Sequence, residues 1–200
     1  MYTILTIGLV FLSTFILLPK FKDFTERYSL SINYFLTLVA TLVGVLLAIA
    51  ITNHEAGKKE KQDFVKLLYS SISSVDACYE YTESIIKEFE QLAPAEAEKS
   101  QFYAQNQPPY PNYLDTFLMQ NIVSKNLSSD ALSDLNEQVI NLKIVREKDA
   151  NIYLSFLGET RNILSLELLY QQGKIDSTEL EKRLGELGLQ GVIHIKSNNS

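Results

Sequence analysis

Residues 30–52 carry no charged side chain, and about 20 apolar residues suffice for a helix to cross the hydrocarbon core of a bilayer. A second uncharged run, 2–18, comes before it and stops abruptly at Pro19 and Lys20. It is at the short limit for spanning. Together the two runs predict an N-terminal transmembrane helical hairpin over residues 1–53. The first run does not read as a signal peptide, because no Lys or Arg precedes its apolar stretch and no small-residue cleavage site follows.

Beyond the membrane segment the apolar positions take up a heptad spacing. Phe64, Leu68, Ser71, Val75, Cys78, Thr82, Ile85, Phe89 and Leu92 alternate at steps of four and three, the seam of a helix packed on other helices. No proline lies between Pro19 and Pro94, so the second membrane helix is expected to continue as one long or singly bent helix from 29 to about 93. Gly57 is the candidate hinge. Residues 54–93 are thus read as the helix leaving the membrane.

Residues 94–112, with Pro94, Pro108, Pro109 and Pro111 among Gln, Asn and Ser, read as a connector. Its PPYP portion should be extended, either as a rigid link or as a ligand for a proline-binding domain. The remainder, 113–200, looks helical. One helix is expected over 113–125 and a long one over 131–172, bent near Gly158, with Ser128, Ser129 and Asp130 as candidate N-caps. Its seam reads Leu132, Leu135, Val139, Leu142, Arg146, Asp149, Tyr153, Leu157, Thr160 and Leu164. Gly173 should end it. A short helix after Ser177 should end near Gly188, and VIHI at 192–195 has the composition of a short strand. The predicted fold is all-α, a membrane hairpin followed by a helical-bundle soluble domain.

Charge narrows the function. The chain carries a net −6. Residues 1–53 hold Lys20, Lys22 and Arg27 against Asp23 and Glu26, a balance of +1, which leaves −7 for the rest. An acidic domain is a poor match for long DNA or RNA but can hold a small anion in a local basic pocket. Four lysines, Lys58, Lys59, Lys61 and Lys66, follow the second span, against three basic residues in the loop before it. The positive-inside rule then favours a cytoplasmic C-terminal domain on a multi-pass protein of the inner membrane. The single cysteine, Cys78, permits no intramolecular disulfide and sits in the apolar seam as a core residue.

Enzymatic signatures are absent. The two histidines, His54 and His194, lack a metal-ligand neighbour at a useful spacing, and there is no HExxH, Walker loop, GxSxG or dinucleotide turn. Gly185, Gly188 and Gly191 follow a short helix and read as a cap and turns. The chain is expected to be no enzyme and to need no metal or cofactor.

Two features stand out instead. Ala40, Gly44, Ala48 and Thr52 recur every four residues, a small-residue ridge that lets helices approach closely in lipid. It would join the two helices of one hairpin or copies of the protein. Arg146 falls on the apolar seam, where a charge is costly unless paired. It either pairs with Asp149 or another acidic group, or belongs to an anion site with Lys143, Tyr153, Arg161 and Asn162, on which tyrosines would stack bases.

The layout resembles small two-helix membrane effectors of bacterial antiviral defence, most closely the cyclic-oligoadenylate-binding membrane effector of type III CRISPR systems. The likeness rests on the helix over 29–52 with its ATLVGVLLA core, the direct continuation into GKKEKQDFVKLL and the helical remainder. It implies a cytoplasmic domain that forms homo-oligomers, binds a ring of adenylates and perturbs the lipid membrane through its helices. The alternative is a membrane scaffold or accessory subunit that docks another protein.

Overall fold

The computed structural model describes residues 7, 8, 11, 28–92, 101–103 and 105–197, with side chains up to residue 187 except Leu92. Every regular element among them is helical. In chain order they are α1 (Ser29–Leu92), α2 (Asn112–Leu118), α3 (Asn121–Asn126), α4 (Ser129–Val145), α5 (Ala150–Gln171) and α6 (Ser177–Ser197). The chain divides into two units, Met1–Glu60 and Lys61–Ser200.

In the first unit, α1 is long and apolar enough to cross a membrane. The first candidate span, 2–18, lies outside the described residues apart from Ile7, Gly8 and Phe11, so among the described residues there is one such helix and the hairpin is not shown. One stripe of this segment is covered: Ile32, Leu36, Val39, Val43, Leu46 and Ala50, again at steps of four and three, are buried or half-buried. The small-residue ridge lies about 100° round the helix from this stripe. Ala40, Gly44, Ala48 and Thr52 are exposed, with open space where a Gly44 side chain would be. The hydroxyls of Thr37, Thr41 and Thr52 donate to the carbonyls of Asn33, Thr37 and Ala48 at 2.8, 2.9 and 2.9 Å. The helix itself therefore satisfies the donors that hydrocarbon cannot. Gly57 lies within a continuous helical stretch of α1.

In the second unit the heptad seam of α1 faces the core as its spacing requires. Phe64, Leu68, Ser71, Val75, Cys78, Thr82 and Ile85 are buried and Phe89 is half-buried. Phe64 stacks on Phe117 of α2, with ring centroids 6.5 Å apart. Helix α5 supplies the largest share of the remaining core, including Tyr153, Leu157 and Leu164. It runs antiparallel to α1: Tyr69 meets Gln172, Asp76 meets Arg161, and the Tyr79 ring lies against Gly158. It is also antiparallel to α4, tied at one end by Ser128 to Glu167 and further along by Gln138 to Glu159. Leu180 and Leu184 close the core from α6. Each such side chain contributes about 1.5–3 kcal/mol on burial.

The breaks between helices differ from those the sequence predicts. The single helix expected over 131–172 is two. The interruption falls at residues 146–149, not at Gly158, because Asp149 turns extended and its Oδ1 accepts from the backbone N–H groups of Asn151 and Ile152 at 2.8 and 3.1 Å. That cap starts α5 afresh. The helix expected over 113–125 also divides, at Met119 and Gln120. At the far end α6 stays helical through Ser197, so residues 192–195 are not a strand and Gly185, Gly188 and Gly191 do not make turns.

Gly173 behaves as expected. Its φ is +70°, and Gly173 and Lys174 donate their backbone N–H groups to Tyr170 and Leu169, the two-bond motif that ends helices in a left-handed residue. The two glycines of α5 and its end should therefore respond oppositely to alanine. Gly158→Ala places its Cβ at an ordinary 3.6 Å from the Tyr79 ring and should stabilise the chain by about 0.5–1 kcal/mol through helix propensity. Gly173→Ala should cost about 1 kcal/mol because of its positive φ. Chemical denaturation of the purified variants in detergent checks both signs.

Candidate functional site

Five side chains were expected to form an anion site, and the structure separates them into two groups. Lys143, Arg146 and Tyr153 gather on the proline connector. Arg146 donates from Nε to the Pro108 carbonyl at 2.7 Å and reaches the Gln107 side chain at 3.5 Å. Tyr153 donates its hydroxyl to the Pro109 carbonyl at 2.8 Å. Asp115 accepts from both Tyr110 and Lys143 at 3.0 Å, and the Lys143 ammonium lies 5.4 Å from the centre of the Tyr110 ring. The seam charge at Arg146 is thus met by a backbone carbonyl rather than by Asp149, whose carboxylate caps α5.

The logic of this clamp is local. Prolines supply no N–H to regular structure, and the connector is buried at Pro108 and half-buried at Pro109, so these two carbonyls need donors from their surroundings. Arg146 and Tyr153 supply them from the two ends of the 146–149 turn. Burial is the main cause that pushes the Tyr110 and Tyr153 hydroxyls well above the ordinary tyrosine range; Asp115 adds to it for Tyr110, whereas Arg146 opposes it at Tyr153. Burial likewise raises the Cys78 thiol, which leaves Cys78 the inert core residue that its seam position suggests.

The other two candidates, Arg161 and Asn162, line an open hollow of about 430 Å³ on the outer side of α5 together with Tyr79, Ser155 and Glu159. The Arg161 guanidinium sits over the Tyr79 ring, 5.0 Å from its centre, and touches Asp76 at 3.5 Å. Its side chain is 41% exposed, so the ion pair with Asp76 is solvated and weak. The Tyr79 ring packs against Gly158, one turn before Asn162, at a distance where an added Cβ would make ordinary contact. Several tyrosines are equally good candidates by sequence, and the pairing of Tyr79 with Arg161 emerges only once α1 and α5 lie side by side.

A second hollow of about 290 Å³ adjoins the first and shares Asn162 and Leu187 with it; Arg183 of α6 lines its far side. Arginine, Asn, Ser and a tyrosine ring in an open groove can hold a phosphate and an aromatic base. Among the described residues no three His, Cys, Asp or Glu side chains come together to hold a metal ion. No protein family, no curated protein and no solved structure matches this chain.

Two outcomes test the clamp. Arg146→Ala leaves the Pro108 carbonyl without its charged donor and should cost about 1.5–3 kcal/mol, with new protease sensitivity around residues 105–111 in limited digestion. The tyrosines give a pH signature. Their folded values lie above the unfolded value of 10.0, so the unfolded chain releases these protons first. The stabilisation is whole below pH 10 and drains away as the pH climbs toward the folded values. Melting curves of the full chain from pH 8 to 11 should fall beyond pH 10, and Tyr153→Phe should flatten that fall.

Proposed function

We propose that this chain is a membrane-anchored, non-enzymatic sensor-effector of antiviral defence. Its helical domain takes a small anionic nucleotide, a cyclic or oligomeric second messenger, in the hollow beside Tyr79 and Arg161. Occupancy changes how copies of the protein associate in the membrane and so perturbs it. The location that goes with this reading is the inner membrane, spanned more than once, with the helical domain in the cytoplasm.

One observation carries the reading. A single helix, α1, contributes both an apolar segment exposed on most of its faces and the Tyr79 ring of the polar hollow. A ligand that bears on Tyr79 therefore acts on the same element that enters lipid. It shifts the association only by its different affinity for the two arrangements. The exposed ridge of Ala40, Gly44, Ala48 and Thr52 supports packing between copies, since small residues let backbones approach in a membrane.

The scaffold reading has its own support in exposed apolar side chains of the second unit. Met119 is 85% exposed, Ile140 58% and Ile144 51%, and Ile140 and Ile144 share one face of α4, as positions four apart do. A partner protein would cover them.

Expression in a bacterial host with titration of cyclic nucleotides separates the readings. The wild-type chain should arrest growth when one ring nucleotide is raised. Gly44→Leu should abolish the arrest while calorimetry on the purified full chain records unchanged nucleotide affinity. Arrest that persists in Gly44→Leu would overturn the membrane half of the proposal. A folded full chain that binds no nucleotide would leave the scaffold.

A further inference from the structure

We infer that the ligand site is bipartite and takes a molecule with two nucleotide units, each carrying its own phosphate. The inference rests on the nucleotide reading above and narrows it to a dinucleotide, linear or cyclic.

The argument starts from the repetition of one pair of side chains. The hollow against α1 has Arg161 and Glu159 in its wall, and the hollow against α6 has Arg183 and Glu186. A guanidinium suits a phosphate, which it can hold with two parallel hydrogen bonds. A carboxylate repels a phosphate, yet it accepts well from a sugar hydroxyl or an exocyclic amine. One nucleotide unit presents both kinds of group, so each hollow is composed for one unit. A ligand with a phosphate alone would gain the arginine and suffer the glutamate.

Both guanidiniums keep donors to offer. Arg161 spends one amino group on Asp76 at 3.5 Å, and Arg183 spends its Nε on Glu179 at 2.7 Å. Among the described residues the remaining amino groups of Arg183 make no hydrogen bond to protein. Asn162 stands between the hollows and lines both, with an amide that donates and accepts. Leu187 also lines both and gives an apolar surface to a base.

Size agrees with this division. The smaller hollow, at about 290 Å³, stands at the floor of the roughly 300–1,000 Å³ found for small-molecule sites. A mononucleotide fills one hollow and leaves the other to water. Two linked units engage both, and the second then binds at the effective concentration set by its link to the first. The spacing is held by α5, because Asn162 and its neighbours one turn to either side sit on one continuous helix.

The test uses the purified full chain in detergent and three probes: 5′-AMP, the linear dinucleotide pApA and cyclic di-AMP, repeated with the guanosine series. Calorimetry should show at least one dinucleotide binding about 100-fold tighter than its mononucleotide, the low end of the gain from linkage. Arg183→Ala, at an exposed position, should remove that gain and bring the dinucleotide down to the affinity of the mononucleotide. Equal affinity for mono- and dinucleotides, with no effect of Arg183→Ala, would overturn the bipartite site while leaving a one-unit nucleotide sensor. Absence of binding by every probe to a chain whose melting curve shows it folded would overturn the nucleotide reading and this inference together.

Discussion

The stripe of α1 from Phe64 to Ile85 must find cover, because a helix in water has little stability apart from the packing of its apolar face. Its side chains are mixed in size. Phe64 and Leu68 fill space, whereas Ser71, Cys78 and Thr82 are small. Helix α5 runs antiparallel to this part of α1, with Gly158 opposite Tyr79. Once α5 is fixed there, α4 is placed by Glu167 and Gln138, and α6 by the Gly173 turn. The Ser71 hydroxyl, buried among the described residues without a hydrogen-bond partner, shows that this cover is bought at some cost in polar satisfaction.

Polar groups do the fine placing. Glu167 is fully buried and accepts from Ser128 at 2.7 Å and from Gln171 at 2.8 Å, while Gln171 also donates to the Asn126 carbonyl at 2.9 Å. One carboxylate thus ties the end of α3 and the start of α4 to α5. A misplaced α4 would take the Ser128 donor away from this buried carboxyl group, at a cost of about 1–3 kcal/mol. On the opposite side Arg146 and Tyr153 do the same for the connector. The two arrangements divide the work, one fixing helix order and the other fixing where the proline segment crosses.

Much of this was legible in the chain. The seam of α1 was read residue by residue from its spacing, and the seam of α4 and α5 stayed in the core even though the helix breaks inside it. That happens because the 146–149 turn keeps the three-and-four rhythm, so periodicity could not report the break. Asp149 held the missing signal: an Asp before Ala and Asn is a good cap, but its place on the seam made it look like a partner for Arg146. Residues 192–195 differ from expectation for another reason, since the three β-branched residues Val192, Ile193 and Ile195 form too short an apolar run for periodicity to assign to strand or helix. The site was half legible. Arg161 and Asn162 were named as neighbours on one helix, whereas Tyr79 and Arg183 join them only through pairings distant in sequence.

The threonine hydroxyls of the apolar segment carry a consequence for how copies would recognise one another. Thr52 ends the small-residue ridge, and its proton is already committed to the Ala48 carbonyl. The ridge therefore offers a facing helix a smooth surface with lone pairs and no proton to give. Two identical ridges could meet by shape and dispersion, with weak Cα–H contacts, but not by exchanging hydroxyl hydrogen bonds. Contacts of that kind are shallow and reversible, and they compete closely with lipid chains for the same groove. A surface built this way attracts a copy of itself only faintly.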